Sequence, residues 1–212
     1  MRFPAISVAL LAGFSSGPAD AQPVLSPGIW TNAEDAYFAA EEGRPQPRDI
    51  ALEVAQDGGW RWIDFTGTPL GEWQSGPVDG LAERQADGGW QVDGSEIRKA
   101  RRFSCWVSVR KFAGKPDGSE DWNFTSGLAV FDQGGKVIIP GTREAPAVTL
   151  KLRNVTWAKG SRNRPALVLY VHRDDTERAE SYAWTSPGSD LVGINLRWVQ
   201  GSCSLADGED RR

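Results

Sequence analysis

Histidine occurs once in the 212 residues, at His172, and cysteine only twice, so the side chains that most often carry metal and nucleophile chemistry are scarce. A histidine-built zinc site needs two or three imidazoles, and no C-x-x-C pair stands in for them. A serine hydrolase would have His172 as its sole base, and no G-x-S-x-G elbow is present. No metal and no cofactor are expected. Long apolar runs are also missing, because nothing approaches the ~20 residues that span a bilayer as a helix. Nor is there an excess of positive charge: 24 Lys and Arg stand against 28 Asp and Glu, a net charge of -4. Nucleic acid, whose binding needs clustered cations to displace phosphate counterions, is not an expected partner.

What is present begins with the N-terminus. Arg2 is followed by an apolar stretch centred on Ile6 to Phe14 and then by Ala19-Asp20-Ala21. This is the order of a secretory signal peptide, which predicts residues 1–21 as a leader, 22–212 as a single β-rich domain, and a periplasmic or extracellular location. In an oxidising compartment thiols tend to pair, so Cys105 and Cys203 are expected to form a structural disulfide.

One helix stands out, from about Ala33 to Glu42. Thr31 and Glu34 have capping-box spacing, Ala33, Ala36, Tyr37 and Ala40 recur at helical intervals, and Gly43 supplies a stop. Beyond Pro47 the pattern is β. Ile50, Leu52 and Val54 alternate with Ala51 and Glu53, and Asp57-Gly58-Gly59 supplies a chain-reversing turn before Trp60. The same device returns at Asp87-Gly88-Gly89 and, altered, at Asp132-Gln133-Gly134-Gly135. The expected fold is mainly β, an antiparallel barrel of about 8–10 strands with one N-terminal helix, the alternative being a β-sandwich.

Several clusters have both a chemical and a plain reading. Paired carboxylates can hydrolyse glycosides when ~5–10 Å apart, and Glu34, Asp35, Glu41, Asp64, Glu72 and Asp121 are candidates, but the favoured reading is helix-end complementarity for Glu34 and Asp35 and solvated loops for most of the others. The basic run Arg98-Lys99-Ala100-Arg101-Arg102 is read as a solvated face that protects a sheet edge. Asn123-Phe124-Thr125 and Asn154-Val155-Thr156 match glycosylation sequons. His172 ends an apolar strand beside a turn. The most distinctive feature is ten tryptophans spread along the chain. Trp60 and Trp62 share one strand face, while Trp106 points away from Cys105. Large rings of this kind fill cores, line cavities or stack on sugar faces.

Pro27-Gly28-Ile29-Trp30, taken with Leu196-Arg197-Trp198, resembles the two signature regions of lipocalin-like (calycin) barrels. That resemblance implies a secreted barrel holding a small hydrophobic molecule, with Trp30 packed beneath Arg197 to close one end. The leading expectation is a non-catalytic protein that binds a small hydrophobic or aromatic ligand in a cavity lined from Trp30, Tyr37, Trp62, Trp106 and Trp198, with Arg197 at its end. The alternatives are a cell-envelope protein that binds or hydrolyses glycans, and a structural envelope protein whose aromatic interior is fully packed.

Overall fold

The computed structural model describes residues 25–76, 78, 81–157, 160–174 and 176–206. The expected leader lies outside the described residues. Within them the chain is mainly β, with fourteen antiparallel strands and one helix. The strands exceed the expected 8–10 because Gly28–Thr31, Ala82–Arg84 and Ser95–Ala100 are short or charged and carry little strand pattern, and because the stretch Val192 to Gln200 holds parts of two strands joined by a turn.

The first sheet has the order β3-β2-β1-β6-β5-β4. Its strands are β1 (Gly28–Thr31), β2 (Ala51–Val54), β3 (Trp60–Trp62), β4 (Ala82–Arg84), β5 (Trp90–Val92) and β6 (Ser95–Ala100). Leu52 on β2 and Ala82 on β4 share one core with Trp30, Ile50, Trp90, Val92 and Ile97. A sheet whose distant strands meet in one core must curl, and this one forms a half-barrel. The two Asp-Gly-Gly turns close its hairpins as expected. Gly58 and Gly88 take φ of 85° and 89°, and the Asp57 and Asp87 carboxylates accept from the Gly59 and Gly89 amides at 3.0 and 2.9 Å.

The second sheet is β12-β11-β10-β9 and the third β13-β14-β7-β8. Their strands are β7 (Arg102–Arg110), β8 (Trp122–Phe131), β9 (Gln133–Ile139), β10 (Val148–Val155), β11 (Ala166–Arg173), β12 (Ser181–Thr185), β13 (Leu191–Asn195) and β14 (Val199–Leu205). Alternation decides what lies between these two sheets. Phe103, Cys105, Val107 and Val109 of β7 turn inward onto Leu150 and Leu152 of β10, Leu167, Leu169 and Val171 of β11, and Val199 and Cys203 of β14. Cys105 and Cys203 face each other across β7 and β14 and are joined by the expected disulfide, 98 residues apart in sequence. Trp106 faces outward, as its position next to Cys105 requires.

The three sheets are joined in sequence at two corners. At the first, β6 of the half-barrel runs into β7 of the third sheet through Arg101; at the second, β8 of the third sheet runs into β9 of the second through Asp132. The buried Asp132 carboxylate accepts from the Arg101 amide and from Arg101 Nε, each at 2.8 Å. The third Asp-Gly motif is thus a strand switch and not the expected chain reversal. There is no room for a side chain at it: a Cβ on Gly134 would lie 2.6 Å from Ala33 Cβ, and one on Gly135 2.4 Å from the Phe131 carbonyl oxygen. The basic run is likewise not an edge. β6 lies inside its sheet, between β1 and β5, and the three arginines of the run are committed: Arg98 to Glu96 and Thr156, Arg101 to Asp132, Arg102 to Glu53.

Helix α1 (Ala33–Glu41) occupies nearly the expected span, but its start is held differently. Asn32 is the cap residue and makes no side-chain cap bond, because its amide donates to the Arg48 carbonyl and Ser95 Oγ while its oxygen accepts from the Ile50 amide. Glu34, expected to complete a capping box, turns away from the helix end. Phe38 seats the helix on Val155 and Val168, on the outer face of β10 and β11.

A candidate aromatic cleft

On β10, β11 and β12 the positions that alternate with the inward core residues form the outer face of the second sheet. Arg153 stands opposite Val168, Tyr170 opposite Tyr182, and Val168 opposite Trp184. Helix α1 covers one side of this face and leaves a cleft of about 940 Å³ beside it. Tyr37, Tyr170 and Tyr182, which are all three tyrosines of the chain, line it together with Trp157 and Trp184. Tyr182 and Trp184 are 62% and 71% exposed, so the cleft is open to solvent along β12. Tyr170 and Tyr182 lie with ring centroids 6.1 Å apart.

The surrounding walls are held by identified bonds. The turn after β12 is fixed by the Pro187 carbonyl, which accepts from Arg101 Nη2 at 2.6 Å and from the Asn154 side-chain amide at 3.2 Å. Asn154, expected as a sequon asparagine, therefore spends its amide inside the fold. Trp157 carries a φ of 63°, a left-handed conformation that costs a bulky residue about 1–2 kcal/mol. Its indole nitrogen donates to the Arg164 carbonyl at 2.8 Å, which helps to hold the ring at the cleft rim.

The floor of the cleft is charged. Arg153 Nε donates to Glu34 Oε1 at 2.8 Å, and the two side chains are only 7% and 2% exposed. The Tyr37 ring lies over the guanidinium with its centroid 3.9 Å from Cζ. The ion pair has a single hydrogen bond: Arg153 Nη2 and Glu34 Oε2 are both buried without a partner. Burial works against the Arg153 cation, but the hydrogen bond and charge of Glu34 outweigh it and hold the group protonated. Burial pushes the Tyr170 phenol above its ordinary range, against the opposing pull of Arg153.

Of the residues expected to line a cavity, only Tyr37 reaches this cleft. Trp30 lies in the half-barrel core and donates its indole N–H to the Ser26 carbonyl at 2.9 Å. Trp62 packs edge-on against Trp60, with the Arg48 guanidinium 5.3 Å from its ring centroid. Trp106 stacks on Phe124 at the outer face of the third sheet. Trp198 packs on the core between the sheets and lies under Arg173. Arg197 is exposed on the turn between β13 and β14, a different sheet from that of Trp30, and the expected stacking of these two is not made among the described residues.

The carboxylate candidates are dispersed among separate partners: Glu34 with Arg153, Asp35 with Arg44 and Ser95, Asp64 with Thr66, and Asp121 with Lys111. His172 Nδ1 lies 2.9 Å from the Thr176 carbonyl oxygen, at the strand-end turn its sequence position implies. Among the described residues no group of three His, Cys, Asp or Glu could hold a metal ion, and no helix is long and apolar enough to cross a membrane. Comparison with known proteins found no matching family model, no matching curated protein and no matching solved structure.

Proposed function

We propose that the protein is an exported, non-catalytic binding protein whose aromatic cleft stacks on the sugar rings of a glycan. The observation that carries this reading is the convergence of five aromatic side chains, Tyr37, Trp157, Tyr170, Tyr182 and Trp184, on one solvent-open cleft. Ring faces serve the apolar faces of a sugar, and the phenol hydroxyls together with Arg153 are hydrogen-bonding groups of the kind its hydroxyls need. An enclosed apolar cavity would favour the lipid-like ligand implied by the calycin resemblance. The interior between the second and third sheets is instead filled by Leu, Val and the disulfide. The disulfide is compatible with export.

The test is a panel of polysaccharides and oligosaccharides titrated against the purified chain, read by tryptophan fluorescence and calorimetry. Trp184→Ala and Tyr182→Ala alter exposed rings and leave the core intact, and each is expected to weaken binding about tenfold, the equivalent of ~1.4 kcal/mol. A panel without a binder, or a binder indifferent to both substitutions, overturns the reading.

A further inference from the structure

A row of cations borders the aromatic rings. Lys151 and Arg153 lie at alternate positions of β10 and so share its outer face, and Lys136 of β9 stands directly opposite Lys151. Tyr170 stands opposite Lys151 on the other side. Like charges facing each other across a strand pair are destabilising, and neither lysine has an ion-pair partner among the described residues. Both line a pocket of about 200 Å³ bounded by Ala33, Gln46 and Asp49, and Tyr37 is a wall of this pocket and of the aromatic cleft alike.

Three carboxylates face the row. Glu34 gives one oxygen to Arg153 and leaves Arg153 Nη2 unpartnered. Asp64 accepts from the Thr66 hydroxyl and the Thr66 and Thr68 amides of its own turn through Oδ1 alone, and its charge gives Lys136 partial compensation without a direct ion pair. Asp49 lines the pocket without an ion pair. Burial, then Arg153, then Lys136 lower the Lys151 pKa, against weaker support from Glu34 and Asp49, so this ammonium lacks the anionic contact that would stabilise it.

We infer that the pocket at Lys136 and Lys151 takes an anionic group of the ligand whose rings occupy the cleft, which makes that ligand an acidic saccharide bearing carboxylate, sulfate or phosphate. The inference rests on the proposed glycan-binding role and narrows its substrate class. Tyr37, shared by both pockets, places the anion next to the sugar ring that stacks in the cleft.

The experiment compares, on the full chain, a neutral oligosaccharide with a uronate and a sulfated oligosaccharide of the same linkage, at low and high NaCl, with inorganic phosphate as a fourth probe. One or both acidic ligands are expected to bind at least about tenfold tighter than the neutral one at low salt. The preference is expected to shrink as salt screens it. In Lys136→Gln/Lys151→Gln the acidic and neutral affinities should converge, and Lys136→Glu, at an exposed position, should reverse their order. The uronate and sulfate arms identify which anion the pocket prefers, and either preference supports the inference. Equal affinity for neutral and acidic saccharides overturns it and leaves the cleft reading standing. So does binding of inorganic phosphate without discrimination between saccharides. Absence of binding to every saccharide overturns both.

Discussion

The Glu34–Arg153 pair offers a test of how the helix is attached to the sheet. The two side chains are 2% and 7% exposed and joined by one 2.8 Å hydrogen bond. Removing one member of such a pair leaves a buried charge with no counterpart, an effect of about 3–5 kcal/mol. Glu34→Gln should therefore destabilise the protein by that amount, although Gln is nearly isosteric and fills the same space. Arg153→Met should cost a similar amount, because it strands Glu34 and also removes the cation over the Tyr37 ring, itself worth about 1–2 kcal/mol. The double variant Glu34→Leu/Arg153→Met replaces both charges with apolar groups and eliminates the two unpartnered atoms, Glu34 Oε2 and Arg153 Nη2. Its cost should be well below either single change, because the desolvation of both ions is relieved together. The measurement is urea unfolding followed by tryptophan fluorescence, with unchanged slopes confirming that only stability has altered. A Glu34→Gln cost under ~1 kcal/mol, or a double variant as unstable as the sum of the singles, would refute the reasoning.

The disulfide closes a span of 98 residues between β7 and β14. The chain-entropy model sets the loss in Cys105→Ala/Cys203→Ala at no more than about 4–5 kcal/mol, and an unfolding midpoint unaffected by reductant would contradict it. Acid should also weaken the fold. Burial pushes Glu53 and Asp64 upward, but Arg102 and Arg61 on Glu53, and the Thr66 hydroxyl with the Thr68 and Thr66 amides on Asp64, outweigh it and hold both below the usual carboxylate range. The folded state then binds fewer protons than the unfolded one, so this stability is present above about pH 4 and is lost as pH falls through the depressed values. Asp64→Asn should cost about 1 kcal/mol at pH 7 and flatten the loss between pH 5 and 2 in urea titrations. An unchanged slope would count against the assignment.

Much of the fold was legible because its causes are local. An Asp-Gly-Gly turn needs only its own positive φ and one carboxylate–amide bond, and the β7 alternation that buries Cys105 and exposes Trp106 is a property of the strand alone. The strand switches at Arg101 and Asp132 were not legible, because a corner is fixed by bonds between two distant segments. The same holds for Glu34, which sits in a good capping position yet is drawn 119 residues along the chain to Arg153. The cleft was missed for a different reason. Trp30, Trp62, Trp106 and Trp198 attract attention as large rings, but they settle into separate packing sites. The available signal was the alternate spacing of Val168 with Tyr170 and of Tyr182 with Trp184. On adjacent strands, that spacing puts three rings on the face opposite the apolar core.

The cleft exists only while α1 is seated, and α1 has little reason to form alone. It is nine residues long, lacks a side-chain cap bond and has no basic residue in its last turn. Isolated helices shorter than ~12–15 residues are marginal in water. Its stability must come from contacts: the Glu34–Arg153 pair, the Asp35 carboxylate that accepts from Ser95 Oγ and the Glu96 amide of β6, and Phe38, buried against Val155 and Val168. Phe38→Ala should therefore remove about 3–5 kcal/mol and also loosen Tyr37, the next residue, from its place over Arg153. The two effects can be separated by hydrogen exchange. Amides from Ala36 to Ala40 should lose protection at denaturant concentrations where β10 and β11 amides remain protected, and glycan affinity should fall with them. Phe38→Leu, which refills most of the site, should restore both. If the helix amides in Phe38→Ala stay as protected as the sheet's, then α1 is not held by its packing, and the shape of the cleft does not depend on it.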